Sequence, residues 1–222
     1  MLNILWLFIS YILGSLPFGY IISRLSGKNI LEIGWRKTSG SNVFRNVGMW
    51  QGVLTGALDL LKGSVAVFGA QKLGLSPEIQ ILSGLAAVCG HNWSVFLKFA
   101  GGRGIGTFCG ALLFFSPKML GLALVLFGIF ALLWDSSIAT LIALFAIIFT
   151  SIKLGQFHST GIFTLISLAP ILIKRLSPIA EIPKAKNRIT LLMRRLLLDG
   201  DEAKEEWRIK RIIKKISERK GK

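Results

Sequence analysis

The sequence is poor in the residues that bind metal ions. Its 222 residues include two cysteines and two histidines, and neither Cys89 nor Cys109 has a partner at the spacing of metal ligands. Zinc and iron sites are built from clusters of such side chains, so the sequence predicts no metal site and no cofactor. Both cysteines lie in apolar runs, which indicates that they pack as small apolar residues.

Acidic residues are also scarce, with 11 against 27 basic residues and a net charge of +16. Residues 174–222 hold 16 of the basic and 7 of the acidic residues. Nucleic-acid binding is one explanation of such a basic segment. Because the segment follows a long apolar region and has Trp207 as its single aromatic residue, we expect it to contact anionic lipid headgroups and no nucleic acid.

Apolar residues make up 52% of the chain, and its mean hydropathy is +0.61. They form runs at residues 2–22, 52–70, 79–99, 105–115, 119–134, 138–152 and 162–173. A helix that crosses a membrane needs roughly 20 residues, so several runs predict short helices that neighbours shelter. The sequence therefore predicts an all-α polytopic membrane protein with about seven transmembrane helices, some of them short.

The distribution of Lys and Arg predicts the orientation in the membrane. Residues 24–45 contain five basic residues and one acidic residue, and the tail is strongly basic. Basic flanks remain in the cytoplasm. With seven crossings, the amino terminus lies outside, and the carboxyl terminus and the turn at residues 98–103 lie in the cytoplasm. The predicted domains are a transmembrane domain of residues 1–175 and a basic cytoplasmic tail of residues 176–222, with membrane-surface helices at 189–198 and 205–216.

Four polar segments interrupt this apolar pattern, at residues 34–48, 59–63, 90–107 and 134–140. In the predicted topology they gather at or just inside the cytoplasmic face. Gly101, Gly102 and Gly104 surround Arg103 at the start of a predicted helix. This combination of free helix amides, glycines and a guanidinium favours an anion site, most naturally for phosphate. The alternative is a tight turn with an arginine at the surface.

A second loop with small, donor-rich residues contains Ser41, Asn42 and Arg45, and it is predicted to face the same side. Two such loops together favour a phosphate site.

Charged residues within the predicted spans need a polar environment. Asp59 and Lys62 are three residues apart on a predicted helix, so they share a face and can form an ion pair. That pair either lines a polar site or is purely structural. His91 ends a predicted helix ten residues before the glycine loop, where it could bind a ligand or a backbone carbonyl.

Two of these segments, and a third stretch in the first apolar run, resemble motifs of one enzyme family. Residues 90–107, read as GHNWSVFLKFAGGRGIGT, are similar to the GHxxPxFxxFxGGKGVAT signature of the acyl-phosphate:glycerol-3-phosphate acyltransferases, the PlsY family. Residues 59–63 resemble its DxxKG motif, and residues 14–19 resemble its GSxPxG motif. The resemblance covers residues 11–140 in order. It implies a seven-helix enzyme of the bacterial inner membrane with its active site facing the cytoplasm.

The reaction that the resemblance implies is transfer of an acyl group from acyl phosphate to sn-glycerol 3-phosphate, which gives 1-acyl-glycerol 3-phosphate (lysophosphatidate) for phospholipid synthesis. The expected partners are these two substrates and the bilayer, with no obligatory protein partner. We expect catalytic roles for His91, Arg103 and Arg45. The residues expected to bind substrate or phosphate are Ser41, Asn42, Lys62, Gly101, Gly102, Gly104 and Ser136.

The chain departs from the family pattern at several positions. Trp35 stands where the family has a serine, Lys37 where it has an asparagine, and Arg103 where it has a lysine. The family's His-and-Asn acceptor motif has no clear counterpart in the tail. Two alternatives therefore stay open: the same scaffold acylating a different small acceptor, or a membrane transporter or lipid-binding protein without enzymatic activity.

Overall fold

Helices are the only regular elements in the part of the chain that the computed structural model describes, residues 1–185 and 187–198. We name the α-helices in chain order: α1 Leu2–Ser15, α2 Phe18–Leu25, α3 Gly40–Asn46, α4 Met49–Lys72, α5 Pro77–Asn92, α6 Ile105–Phe115, α7 Pro117–Leu133, α8 Ser136–Lys153, α9 Ile162–Leu176 and α10 Arg188–Leu198. Short 3₁₀ segments lie at Val95–Leu97 and Ile179–Lys184, and a π-helical turn lies at Phe157–Gly161.

Four stretches of the described residues are long and apolar enough to cross a membrane: Leu2–Leu25, Met49–Lys72, Ser136–Lys153 and Phe157–Leu176. The helices α6 and α7 are apolar but shorter. The structure thus confirms the prediction of an all-α membrane protein that combines long and short helices. The number of seven crossings and their orientation stay predictions.

The first apolar run differs from its predicted form. The sequence predicts one helix over residues 2–22, but α1 ends at Ser15 and α2 begins at Phe18. Pro17 has no amide hydrogen, so it cannot continue the hydrogen-bond ladder of α1. The break leaves carbonyl groups at the end of α1 in need of donors from elsewhere.

Glycines allow close helix contacts at two crossings. Where α1 meets α5, a Cβ atom added at Gly14 would lie 2.1 Å from the carbonyl oxygen of Ala87. Where α4 meets α6, a Cβ atom at Gly63 would lie 1.8 Å from the carbonyl oxygen of Thr107, and one at Gly110 would lie 1.8 Å from that of Leu60. Small residues bring helix backbones together in membrane proteins, so these positions fix α1 against α5 and α4 against α6.

An apolar core lies between α4, α5, α6 and α9 and extends to α7 and α8. Its centre is the pair Phe108 and Phe163, whose rings are stacked with centroids 5.1 Å apart. Val67 and Leu112 are fully buried beside them. This packing holds the helices whose ends carry the polar segments.

The described residues divide into two compact units, one of residues 1–174 and a second that begins at Arg175. In the second unit, Arg195 on α10 donates hydrogen bonds to the carbonyl oxygens of Leu176 (3.0 Å) and Pro178 (2.7 Å). It also forms a 2.7 Å ion pair with Glu181. A helix is therefore present at 188–198, while the surface helix predicted at 205–216 lies outside the described residues. Placement of the tail on the membrane stays a prediction.

Replacing Gly110 with alanine tests the crossing of α4 and α6. The added methyl group meets the backbone of Leu60 and forces the helices apart, so we expect Gly110→Ala to destabilise the protein by about 1–3 kcal/mol. The measurement is the thermal unfolding midpoint of the purified protein in detergent. The matched control is Gly121→Ala in α7, where an added Cβ meets no atom within 4 Å. Equal midpoints for the two variants would contradict the proposed close contact.

Candidate active site

The polar segments at residues 34–48, 59–63 and 90–107 meet at one end of the helical bundle, which we call the site end. There α1, α5 and α9 end, and α4 and α6 begin. The hydroxyl of Tyr11 donates a 2.7 Å hydrogen bond to the carbonyl oxygen of Trp93, and the backbone N–H of Thr38 donates to the carbonyl oxygen of Gly101 at 3.3 Å. The segments around residues 15, 38 and 101 therefore form one structure rather than three separate loops.

The connection between α5 and α6 is held by its own backbone hydrogen bonds. The N–H of Gly102 donates to the carbonyl oxygen of His91 (3.0 Å), and the N–H of Ser94 donates to that of Ala100 (3.0 Å). Lys98 and Phe99 have φ angles of 51° and 64°, in the left-handed region that non-glycine residues seldom adopt. Such a tightly bonded loop is pre-formed rather than loose.

The glycines of this loop are required by its packing against α5. A Cβ atom at Gly102 would lie 2.0 Å from Nε2 of His91, and one at Gly101 would lie 2.3 Å from the carbonyl oxygen of His91. Gly104 has a φ of +77°, and a Cβ there would lie 2.7 Å from Oδ1 of Asn92. The sequence predicts that these glycines admit a substrate, whereas the structure gives each of them a contact within the protein.

A buried ion pair lies beneath the glycine loop. Oδ1 of Asp59 is 2.9 Å from Nζ of Lys62, which confirms the predicted pair, and the two side chains are 4% and 5% exposed. Nδ1 of His91 lies 3.3 Å from the same carboxylate oxygen and 3.2 Å from the ammonium. Lys62 also donates to the carbonyl oxygens of Gly14 (3.2 Å) and Leu16 (2.8 Å) at the end of α1.

These contacts bear on two of the predicted roles, and both roles stay predictions. The three N–H groups of Lys62 are used by Asp59 and by the broken end of α1, so this lysine supports the helices. The imidazole of His91 lies between the ion pair and Gly102, a position from which it can orient the glycine loop.

Asn42 likewise has a structural place. Its side-chain N–H groups donate to the carbonyl oxygens of Lys37 (2.9 Å) and Ile33 (3.3 Å), and its Oδ1 accepts from the N–H of Trp35 (3.1 Å) and from Asn46 (2.8 Å). The residue is fully buried. Asn42 therefore organises the segment that carries Trp35 and Lys37, and its predicted contact with a substrate stays a prediction.

Two arginines and a tryptophan form an exposed cluster above this framework. The guanidinium carbons of Arg45 and Arg103 lie 4.7 Å and 4.8 Å from the ring centroid of Trp35. Nη2 of Arg103 also donates a hydrogen bond to Oγ of Ser41, which lies one turn before Arg45 on α3. The structure thus brings together Ser41, Arg45 and Arg103 as predicted, although they come from two distant segments.

Two further cations near the loop were not predicted from the sequence as site residues. They are Lys37 and Lys174, which are 6% and 4% exposed. Nζ of Lys174 lies 3.4 Å from the carbonyl oxygen of Phe99 and 5.7 Å from the ring centroid of Trp93. In the sequence, Lys174 was counted with the basic tail. Its position near the end of the apolar run at residues 162–173 is the feature that distinguishes it from the other basic residues of the tail.

Ser136 belongs to the fourth polar segment, at residues 134–140. It opens α8, and its carbonyl oxygen accepts a 2.7 Å hydrogen bond from Thr140 within the same helix. The helix α8 packs mainly against α7 and the turn at Phe157–Gly161. The expectation that Ser136 binds phosphate therefore stays a prediction.

Removal of the charge of Asp59 tests whether its ion pair with Lys62 stabilises the protein beneath the glycine loop. Asp59→Asn leaves Lys62 buried without its counter-charge, so we expect a loss of stability of about 3–5 kcal/mol. The double variant Asp59→Asn/Lys62→Met removes both charges and is expected to recover part of that loss. Thermal unfolding in detergent measures both.

The control for this experiment is Glu78→Gln, which breaks an exposed pair whose carboxylate lies 3.6 Å from Nε2 of His158. Exposed pairs contribute little, so its unfolding midpoint is expected to match that of the unaltered protein. A double variant less stable than Asp59→Asn would contradict the role of the ion pair.

Comparison with known proteins agrees with this arrangement. The model of a family described as glycerol-3-phosphate acyltransferase matches residues 4–184. Over 151 residues the chain is 41% identical to glycerol-3-phosphate acyltransferase 1 of Dehalococcoides mccartyi, a match that covers 64% of this chain and 73% of that relative. Over 191 residues it is 33% identical to the glycerol-3-phosphate acyltransferase of Prochlorococcus marinus, covering 83% and 96% of the two chains.

The fold is also similar to crystal structures of PlsY (YgiH), an integral membrane glycerol 3-phosphate acyltransferase. Its glycerol 3-phosphate form gives a TM-score of 0.72 at 28% identity and covers 83% of this chain and 93% of PlsY. Its lysophosphatidic acid form gives 0.72 at 26% identity, with 87% and 100% covered. Since the family model matches most of the chain and both sequence and fold agree with it, the chain belongs to the glycerol-3-phosphate acyltransferase family of membrane enzymes.

Proposed function

We propose that the chain transfers an acyl group from acyl phosphate to the 1-hydroxyl of sn-glycerol 3-phosphate and releases lysophosphatidate and inorganic phosphate. The observation that carries the proposal is the cluster of Arg45, Arg103 and Ser41 at the site end of an apolar bundle. Guanidinium groups bind phosphate with two parallel hydrogen bonds. Apolar helices beside the cluster offer a place for the acyl chain of a lipid substrate.

The proposed reaction needs no nucleophile from the protein. Acyl phosphate is a mixed anhydride, so the hydroxyl oxygen of the acceptor attacks its carbonyl carbon directly. A new ester C–O bond forms, the C–O bond to phosphate breaks, and the phosphate leaves with the electron pair while taking up the hydroxyl proton. The protein positions the two substrates and stabilises the negative charge that develops on the leaving phosphate.

The residues of the cluster have distinct roles in this proposal. Arg45 and Arg103 bind the substrate phosphates, and Ser41, whose Oγ accepts a hydrogen bond from Arg103, donates its own hydroxyl hydrogen to a phosphate oxygen. The buried cations Lys37 and Lys174 add positive potential behind the loop. His91 acts through the loop rather than as a base, since its Nδ1 faces Asp59 and Lys62.

We also propose that the enzyme resides in the bacterial inner membrane with this cluster facing the cytoplasm. The basic segment at residues 24–45 adjoins the cluster, and basic segments remain in the cytoplasm. Glycerol 3-phosphate is a charged molecule of the aqueous phase, so an active site at that face meets it directly.

Phosphate release from palmitoyl phosphate tests the reaction. We expect the purified, detergent-solubilised protein to release phosphate when sn-glycerol 3-phosphate is present and to form lysophosphatidate in equal amount. Release with a different small acceptor, and none with glycerol 3-phosphate, would show an altered acceptor. If no acyl phosphate is consumed with any acceptor, the protein is a transporter or lipid-binding protein instead.

Substitution of Arg103 tests the phosphate site. Arg103→Ala removes a guanidinium from the developing phosphate charge, so we expect kcat/KM to fall by about 100-fold or more. Arg103→Lys keeps the charge and is expected to retain measurable activity. The matched control is Lys98→Ala, which removes an exposed cation from the same loop and is expected to leave kcat/KM nearly unchanged. Retention of most activity in Arg103→Ala would place Arg103 outside the site.

A further inference from the structure

Trp35 occupies an unusual position between the segments of the phosphate site. Its half-buried indole contacts both guanidinium groups, with Arg45 and Arg103 at nearly equal distances of 4.7 Å and 4.8 Å from the ring centroid. Arg45 comes from α3, whereas Arg103 comes from the loop before α6. Trp35 is therefore a common contact of two cations that the sequence places 58 residues apart.

Two guanidinium groups that share one contact repel each other in the absence of an anion. The face of an indole ring carries negative electrostatic potential and attracts each of them. A guanidinium that lies over an aromatic ring keeps its N–H groups at the edge of its plane, where they can form hydrogen bonds with phosphate oxygens. Contact with Trp35 thus holds both arginines in place without using the groups that bind phosphate.

The main chain of Trp35 is fixed independently of its indole. Its N–H donates to Oδ1 of Asn42, and Asn42 binds the neighbouring carbonyl oxygens as well. A change of side chain at position 35 therefore leaves these main-chain hydrogen bonds in place. This separation makes the role of the indole accessible to experiment.

We propose that Trp35 is a positioning residue that orders Arg45 and Arg103 to bind the phosphate of glycerol 3-phosphate. The proposal rests on the proposed function of the two arginines. It assigns to the indole a part of the binding free energy, because arginines that are already ordered lose less conformational entropy when the phosphate binds.

Trp35→Leu and Trp35→Phe form the test, with Trp134→Leu as the matched control. Leucine removes the aromatic face, phenylalanine keeps one, and Trp134 is a 67% exposed tryptophan whose ring lies 6.0 Å from that of Phe130 at the end of α7. Binding of glycerol 3-phosphate and of inorganic phosphate to the full chain in detergent is measured by calorimetry. The steady-state KM and kcat are measured with palmitoyl phosphate.

For Trp35→Leu we expect Kd for both ligands and KM for glycerol 3-phosphate to rise about tenfold, with kcat within about threefold of the unaltered enzyme. Trp35→Phe should restore most of the affinity, and Trp134→Leu should bind like the unaltered protein. Unchanged Kd and KM in Trp35→Leu would overturn the role of Trp35 and leave the proposed function intact. If the unaltered protein binds neither ligand, the proposed phosphate site itself fails.

A fluorescence measurement covers the case in which Trp35→Leu does not fold. Phosphate bound to the two guanidinium groups places negative charge beside the indole and changes the electric field at the ring, so titration with inorganic phosphate should change the emission of the unaltered protein. The change should be absent in Trp35→Phe, which retains the other five tryptophans. Equal changes in the two proteins would overturn the proposal.

Discussion

An ammonium group buried in a helical bundle needs a counter-charge and an acceptor for each of its N–H groups. Lys62 obtains the charge from Asp59 and two acceptors from the carbonyl groups at the end of α1. The break in the first span and the ion pair therefore stabilise each other: the lysine donates to the carbonyl oxygens of Gly14 and Leu16 at the break, and those carbonyls satisfy the lysine. His91 adds the loop before α6 to the same network.

The cations of this end of the bundle differ in exposure and in bonding. Lys62 is buried and fully bonded, whereas Arg45 is exposed and Arg103 is partly exposed at the surface of the site end. The loop between α5 and α6 connects the buried network of Lys62 with the arginine cluster. Its glycines pack on His91, while the side chain of Arg103 extends to Ser41 and Trp35. In the proposed function, the substrate phosphate meets the arginines first, and the residues beneath them determine where the arginines lie.

Much of this arrangement could be predicted from the sequence. The apolar runs predicted a helical membrane protein, and the three-residue spacing of Asp59 and Lys62 predicted their ion pair. The polar segment at residues 90–107 was identified because it interrupts apolar helices. Each of these features depends on residues that are close in sequence, where helix geometry fixes which side chains meet.

Contacts between distant segments could not be predicted in this way. The sequence predicts that Asn42 and Lys62 bind substrate or phosphate, which stays a prediction. Their hydrogen bonds to backbone carbonyls could not be predicted, because these depend on how the loop and the broken helix fold. Lys174 was not predicted as a site residue, because its charge was counted with the basic tail. Only the three-dimensional packing shows that this side chain, on α9, is buried. The common contact of Arg45 and Arg103 with Trp35 likewise requires the three-dimensional structure.

The packing of the glycine loop on His91 has an evolutionary consequence. Position 103 projects out of the loop, so arginine and lysine can replace each other there while the backbone stays the same. Position 102 lies against the imidazole ring, where even a methyl group would collide with Nε2. Within the motif of residues 101–104, the cationic group at position 103 can therefore change during evolution. Position 102 can change only if residue 91 changes with it.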